Sequence, residues 1–224
     1  MLIVLPFVLL FTALSANKGK KVGMFFLRCW AWGFSLLTFF WVKPINKHLI
    51  NLSIPHIYVG NHGSYLDAIA VCISVPQYFS PLGKIEMTKI PVFGWIYKRM
   101  VVLIDRSSAE SRARSVDALK KDIINGQSIL IFPEGTMNQS NAPLSEFYDG
   151  AFRIAIETQT TLMPFVMINN RKLLPRKNPL KVKPGLIKTI FITPVDVKGL
   201  SMADLPQLKQ KVYTLMEEAI LKHS

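Results

Sequence analysis

The stretch from residue 56 to residue 67 reads His-Ile-Tyr-Val-Gly-Asn-His-Gly-Ser-Tyr-Leu-Asp, and it predicts a strand, a turn and the start of a helix. The apolar run near its beginning is typical of a short buried strand. Gly63 and Ser64 then suit a turn and a helix cap. His62 and Asp67 therefore follow the end of a strand, where open α/β sheets build their sites.

His62 and Asp67 can meet only if the histidine lies in the turn and the aspartate lies in or near the first turn of the helix. On a continuous helix, side chains five residues apart point about 140° away from each other. Across a turn, the carboxylate can accept a hydrogen bond from one imidazole nitrogen and leave the other nitrogen free as a base. The alternative is a capping cluster with an incidental histidine.

Further apolar runs alternate with helical patterns along the rest of the chain. Short buried strands are predicted at residues 101–104, 128–132, 162–167 and 187–193. Ser107 and Glu110 predict a capping box for a helix that Asn125-Gly126 ends. The last helix has one apolar stripe, formed by Leu205, Leu208, Val212, Leu215, Met216, Ala219 and Ile220. This alternation predicts an α/β fold with a mixed, mainly parallel sheet flanked by helices.

The first 42 residues carry most of the excess of apolar residues in a 224-residue chain whose mean hydropathy is +0.29. As a helix, Leu2–Leu14 would reach about 20 Å, short of a hydrocarbon core of about 30 Å, and a signal peptide is the alternative. Gly23–Val42, which includes Arg28, suits either a span or a helix in one leaflet. We predict a membrane-anchoring helical hairpin over 1–42 and one globular domain over 43–224.

The net charge of +13 predicts an anionic partner, either nucleic acid or a membrane surface. The apolar amino terminus favours the membrane, so no nucleic acid is expected. Residues 171–188 contain basic charges only, at Arg171, Lys172, Arg176, Lys177, Lys181, Lys183 and Lys188. This segment is either a membrane-binding patch or a solvated loop. On charge alone, a non-catalytic basic protein of the membrane surface is a competing interpretation.

Two more strand ends carry charged residues. Asp105 and Arg106 follow one predicted strand, and the arginine can bind an anion through two parallel hydrogen bonds or form a surface ion pair. Pro133 and Gly135 fix a turn that presents Glu134 at the end of the next strand. This carboxylate can orient substrate hydroxyls or brace neighbouring donors. Parallel strands would bring these residues to the same sheet edge as the histidine.

Other catalytic machinery is missing from the sequence, which has no G-x-S-x-G elbow, H-E-x-x-H pair, phosphate-binding loop or dinucleotide fingerprint. The two cysteines, Cys29 and Cys72, lie in apolar runs that raise the pKa of a thiol. For acyl transfer, we therefore expect direct attack by a hydroxyl of the substrate. No metal or cofactor is expected.

The strand-end motifs closely resemble those of the glycerolipid acyltransferases, specifically the bacterial-type 1-acylglycerol-3-phosphate acyltransferases. The family blocks N-H-x-x-x-x-D, I-D-R, F-P-E-G-T and an apolar block around a proline match residues 61–67, 104–106, 132–136 and 162–166. In the first block the matching residues are Asn61, His62 and Asp67. Order and spacing also agree, over roughly residues 50–200.

The resemblance implies transfer of a fatty acyl group from acyl-CoA or acyl-acyl carrier protein to 1-acylglycerol-3-phosphate, giving phosphatidic acid in phospholipid biosynthesis. His62 would be the general base and Asp67 would orient it, without a covalent enzyme intermediate. Acceptor-binding residues would be Arg106, Lys84, Glu134, Gly135 and Thr136. Such proteins work at the cytoplasmic face of a membrane, here the bacterial inner membrane, with an amino-terminal helical pair embedded in it.

Two positions depart from the family pattern. Met137 stands where the family often has arginine, and Tyr148 stands where many members have lysine. Both changes remove positive charge from the acceptor side. An acyltransferase for another lysolipid, such as a lysophospholipid with a larger head group or a lyso-aminolipid, is the alternative that they leave open.

Overall fold

The computed structural model of the protein describes residues 1–14, 16–176 and 178–224, so Ser15 and the basic residue Lys177 lie outside the described residues. The α-helices are α1 Leu5–Leu14, α2 Ala16–Thr38, α3 Leu66–Ser74, α4 Phe93–Met100, α5 Ala109–Ile124, α6 Gly150–Thr158, α7 Asn170–Leu173 and α8 Leu205–His223. The strands are β1 Phe40–Ile45, β2 Ile57–Gly60, β3 Phe79–Lys84, β4 Val102–Ile104, β5 Ser128–Ile131, β6 Leu162–Ile168 and β7 Gly185–Phe191. Short 3-10 helices cover Lys47–Leu49, Ile85–Lys89, Pro179–Lys181 and Met202–Asp204.

The strands form one sheet in the order β1-β7-β6-β2-β5-β3-β4. β6 and β7 pair antiparallel, whereas the other neighbours pair parallel. The predicted α/β fold with a mixed, mainly parallel sheet is therefore confirmed. β2 lies between β5 and β6, with Ile57 opposite Ile129 on one side and Leu162 on the other. Because β2 is central, the turn that follows it lies in the middle of the row formed by the carboxyl ends of the parallel strands.

Both faces of the sheet are covered, because successive residues of a strand point to opposite sides. In β2, Ile57 and Val59 pack in a core with residues of α5, α6 and α8, as the apolar stripe of α8 predicts. Tyr58, on the other face, packs in a second core with residues of α1 to α4. All three side chains are fully buried. The amino-terminal helices thus contribute to one of the two layers.

The predicted strands are all present, with ends that differ by one or two residues. β1 and β3 were not predicted. β3 contains Pro81 and Gly83, which normally argue against a strand, yet it bridges β5 and β4 and pairs with each over half its length. The predicted capping box at Ser107 is wrong, since Ser108 caps α5 by accepting from the Ser111 amide. The Ser107 hydroxyl instead donates to Asp105.

At the amino terminus, α1 packs against α2, while the predicted role of this helical pair as a membrane anchor stays a prediction. The rings of Phe7 and Phe26 stack 4.5 Å apart, and a Cβ at Gly19 would overlap the Phe11 carbonyl. The second helix ends at Thr38 rather than at Val42, because the chain enters the sheet there. Within the described ranges, none of the helices combines the length and apolar character needed to cross a bilayer.

Arg28 has a partner inside the protein although it lies in an apolar helix. One guanidinium nitrogen donates to the backbone oxygens of Val75 and Gln77, at 2.7 Å each. Both acceptors lie between α3 and β3. The charge in α2 therefore attaches the helical pair to the α/β domain.

Candidate active site

His62 and Asp67 meet in the turn between β2 and α3. The Nδ1 atom of His62 lies 2.8 Å from Oδ2 of Asp67. The carboxylate is fully buried, whereas about a fifth of the imidazole side chain is exposed. Since an ionised carboxylate can only accept, Nδ1 carries the hydrogen and Nε2 is left with its lone pair. The hydrogen bond to Asp67 thus fixes the tautomer of the imidazole, an arrangement that suits a general base.

The Asp67 carboxylate has four hydrogen-bond partners. Oδ2 also accepts from the amides of Gly63, at 2.8 Å, and Ser64, at 3.0 Å. Oδ1 accepts from Nδ2 of Asn170, at 2.5 Å. Asn170 is buried, begins α7 directly after β6, and was missed by the sequence analysis because an asparagine after a strand has no distinctive pattern. These hydrogen bonds hold the carboxylate in one orientation.

The imidazole of His62 is held on its flat side by Phe132. The two rings are nearly parallel, at 9°, with centroids 4.4 Å apart. Phe132 follows β5, the parallel neighbour of β2, so the two strand ends face each other. The backbone oxygen of His62 also accepts from the Asn138 amide at 2.7 Å. The ring is therefore fixed in position as well as in tautomer.

Glu134 braces the turn from inside. Its Oε1 accepts from the His62 amide and its Oε2 from the Ser145 amide, both at 2.7 Å. The residue is 2% exposed, and this burial raises the pKa of its carboxyl above the ordinary value, against the opposing effect of the two backbone donors. Of the two roles considered for this carboxylate, the structure favours bracing over direct contact with a substrate.

Arg106 follows β4 and reaches the turn after β5. A Cβ at Gly135 would lie 2.8 Å from Nη1 of Arg106 and 2.7 Å from the ring of Tyr148, and Gly135 has a φ of +69°. Only glycine fits such a place. Within the described residues, Arg106 has no salt bridge, and Glu110 pairs instead with Arg114. Partial burial lowers the pKa of Arg106, which nonetheless stays charged.

Lys84 and Arg176 lie in the neighbourhood of the same turn. Lys84 ends β3 opposite Ile104, two residues before Arg106. Burial, followed by the charges of Arg106 and Arg176, lowers the pKa of Lys84. Nη1 of Arg176 lies 3.5 Å from the Thr136 hydroxyl. From the sequence, Arg176 was predicted only to be one member of a basic segment, with no place at the site.

Arg171 packs against the His62 turn at Gly63. A Cβ at Gly63 would collide with its side chain, and its guanidinium donates to the backbone oxygens of Ser140 and Ala142. A small cavity of about 210 Å³ opens there, bordered by Gly63, Asn138, Gln139, Ser140, Asn141, Arg171, Pro175 and Arg176. Arg176 therefore borders this cavity and also lies near the Thr136 hydroxyl.

Comparison with known proteins identifies the family. The model of the acyltransferase family matches residues 42–168, more than half of the chain. The chain belongs to this family. The resemblance seen in the sequence is therefore confirmed.

Related acyltransferases have names that agree with one another. A chloroplast 1-acyl-sn-glycerol-3-phosphate acyltransferase of Brassica napus is 31% identical over 194 residues, covering 85% of this chain and 54% of its own length. The mouse (Mus musculus) 1-acyl-sn-glycerol-3-phosphate acyltransferase alpha is 26% identical over 162 residues, covering 70% of this chain and 56% of its own. The chain spans about half the length of the curated relatives it matches.

A solved structure shares the whole fold of this acyltransferase. The crystal structure of the 1-acyl-sn-glycerophosphate acyltransferase PlsC from Thermotoga maritima superposes with a TM-score of 0.79 at 23% identity. The match covers 98% of this chain and 88% of the other. The likeness extends over the helical pair as well as the α/β domain.

Cys72 is a poor nucleophile. Burial raises the pKa of the Cys72 thiol to about 11, as its apolar sequence context predicted. A thiol with such a pKa is almost entirely protonated near neutral pH.

Proposed function

We propose that this acyltransferase moves a fatty acyl group from a thioester to the free hydroxyl of 1-acylglycerol-3-phosphate and so makes phosphatidic acid. The names of the relatives support this acceptor. The observation that carries the chemistry is the His62 ring, which is bonded to Asp67 through Nδ1 and free at Nε2. The thioester would be acyl-CoA or acyl-acyl carrier protein, and no cofactor is needed.

In the proposed reaction one proton is transferred twice, first to His62 and then to the leaving thiolate. Nε2 of His62 takes the proton of the acceptor hydroxyl as the oxygen attacks the thioester carbonyl carbon. The tetrahedral intermediate then collapses, the carbon–sulfur bond breaks, and the imidazolium returns the proton to the departing thiolate. Asp67 stabilises the imidazolium that forms in between. No covalent acyl-enzyme is required, which agrees with the raised pKa of the Cys72 thiol.

The acceptor phosphate would bind on the Arg106 side of the histidine. Arg106 provides a planar guanidinium over Gly135, and Lys84 contributes a second charge from the neighbouring strand end. Gly135 and Thr136 border this space, while Glu134 keeps the turn in shape from beneath. A phosphate held there would bring the glycerol hydroxyl towards Nε2.

The helical pair would lie in one leaflet, at the cytoplasmic face of the bacterial inner membrane. Its support is a set of exposed apolar side chains on the first 41 residues, namely Leu2, Ile3, Phe7, Leu10, Leu14, Phe25, Trp32, Leu36, Leu37, Phe39 and Trp41. A patch of this kind on a protein surface marks an interaction site. Lys18 and Lys21, both exposed near the beginning of α2, suit anionic head groups. The anchor would be the helices up to Thr38 rather than all of residues 1–42, because β1 begins at Phe40 and belongs to the sheet of the enzyme domain.

Replacing the base tests the chemistry. His62→Ala should lower turnover on lysophosphatidate by about 100-fold to 10,000-fold, the usual range for loss of a positioned base. His48→Ala, at an exposed histidine far from the turn in sequence, is the matched control and should keep its activity. Purified His62→Ala protein that turns over at the wild-type rate would refute the assignment of the base.

Replacing one exposed leucine tests the anchor without removing β1 from the sheet. Leu37→Glu should weaken binding to vesicles that contain anionic lipid, because a charge then replaces an apolar side chain that is 80% exposed. Leu221→Glu makes the same change at an exposed position of α8 and should bind like the wild type. High salt alone should not release the wild-type protein, since salt screens charge but not apolar burial. Equal binding by both variants would contradict the anchor.

A further inference from the structure

Three cations from different parts of the chain converge on the turn that follows β5. Nη1 of Arg106 lies over Gly135, and Nη1 of Arg176 lies 3.5 Å from the hydroxyl of Thr136, the next residue. Lys84 reaches the same neighbourhood from the end of β3. The two guanidinium groups therefore contact adjacent residues of one tight turn. The charge of each acts on Lys84.

None of these three cations forms a salt bridge in the described part of the chain. The exposed carboxylate of Glu86 acts on the charges of Lys84 and Arg106 without forming an ion pair with either. Like charges held near each other disfavour the charged state, unless an anion binds between them. The cluster thus has the charge needed to balance a dianion.

Arg176 is held near the turn by the residues that precede it. Asn170 is bonded to the Asp67 carboxylate, and Arg171 is bonded to the backbone oxygens of Ser140 and Ala142. Only residues 172–175 separate the second of these anchored positions, Arg171, from Arg176. A cation brought to the turn by such an attached segment differs from one on a solvated loop.

We propose that Arg176 is a third phosphate-binding residue of the acceptor site and that the cluster selects a phosphate monoester dianion over a phosphodiester or an uncharged head group. This inference rests on the proposed function. It also accounts for Met137 and Tyr148, since the positive charge that those two positions lack comes from the segment after α7. Tyr148 instead packs its ring beside Arg106 at Gly135.

The test compares acceptors with one acyl thioester: lysophosphatidate, lysophosphatidylglycerol and monoacylglycerol. Arg176→Ala should reduce catalytic efficiency on lysophosphatidate by about 10-fold to 100-fold, the size expected for lost charge-assisted hydrogen bonds. Efficiency on monoacylglycerol should change by less than about twofold. Lys211→Ala, which removes one exposed charge from α8, should change neither. Met137→Arg added to Arg176→Ala should restore part of the loss, because it returns a cation to the same turn.

A second readout does not depend on turnover. Glycerol 3-phosphate should raise the Tm of the wild-type protein and of Lys211→Ala, with a smaller rise for Arg176→Ala and none for glycerol. Equal losses of Arg176→Ala on all three acceptors, or an undiminished Tm rise, would overturn the role of Arg176. Wild-type protein that responds to glycerol 3-phosphate yet does not acylate lysophosphatidate would instead refute the proposed function and leave the phosphate site standing.

Discussion

Asp67, in the first turn of α3, and Glu134, in the turn after β5, are both buried carboxylates, but their partners differ in kind. Asp67 accepts hydrogen bonds from the His62 ring, from two backbone amides and from the Asn170 side chain. Glu134 accepts hydrogen bonds from two backbone amides, one of which belongs to His62. One carboxylate therefore holds the histidine ring, whereas the other holds the histidine backbone.

The difference separates two ways in which a buried acid can serve a site. In the proposed mechanism, a group that holds the ring nitrogen stabilises the imidazolium that forms during the reaction. A group that holds backbone amides is equally necessary before, during and after the reaction, so its loss affects the fold. Substitution of Asp67 should therefore change mainly turnover, whereas substitution of Glu134 should change mainly stability. This difference should hold even where both substitutions abolish activity in crude extracts.

The largest effect is expected for Asp67→Asn. The amide keeps the shape of the carboxylate but favours the wrong histidine tautomer, so kcat should fall by about 1,000-fold or more. The measurement is steady-state turnover on purified protein, together with its Tm. A kcat loss that is fully explained by a lower folded fraction would remove the distinction from Glu134.

Glu134→Gln should mainly lower stability. Its NH2 group must face one of two backbone amide donors, and an unpaired buried donor costs about 1–3 kcal/mol. Urea unfolding measures this change in the free energy of unfolding. Where the variant is folded, we expect turnover within about tenfold of the wild type. A large kcat loss at unchanged stability would show that this carboxylate takes part in the chemistry.

Asn170→Ala should have an intermediate effect on turnover. Asp67 would lose the hydrogen bond on Oδ1 but keep its three partners on Oδ2. A hydrogen bond to a charged group contributes about 1.5–3 kcal/mol, and we expect only part of this to act in the transition state. The expected fall in kcat is therefore about 10-fold. Acceptor KM should not change, and the pH dependence of kcat should shift. Unchanged kcat with reduced stability would make Asn170 a purely structural residue.

The smallest effect concerns pH. Burial raises the pKa of Glu134 above its ordinary value of 4.5, so the folded state holds this proton more tightly than the unfolded state. The resulting stabilisation is complete below about pH 4.5 and is lost as pH rises through the raised pKa. The stability advantage of wild type over Glu134→Gln should therefore decrease from pH 4 to pH 7. An advantage that increases with pH would mean that the two backbone donors outweigh burial.

Local sequence patterns predicted those parts of the fold that depend on local chemistry. The apolar runs of β2, β5 and β6 and the Asn125-Gly126 helix end follow rules that concern neighbouring residues. The turn that places His62 on Asp67 could also be predicted, because helical geometry excludes any other way for the two to meet. β1 was read as part of an apolar helix, since its pairing with β7 involves residues more than 140 positions away.

Long-range partners could not be predicted for the same reason. Asn170 lies 103 residues from Asp67, and the bond exists only because β6 lies beside β2 in the sheet. Arg176 looked like one member of a basic segment, and its distance from Thr136 depends on the path of the chain after α7. The structure supplied these neighbours, whereas the sequence supplied the chemical types.

Phe39 alone joins α2 to β1, with a φ of +58°, and Arg28 attaches the same helix to the domain. The proposed anchor and the domain that contains the histidine are therefore not joined by a long linker. With the helices in a leaflet, Nε2 would stand at a fixed height above the lipid plane. A lysolipid would have to arrive by lateral diffusion and rise to that height, so selection would begin with how far its hydroxyl can leave the bilayer.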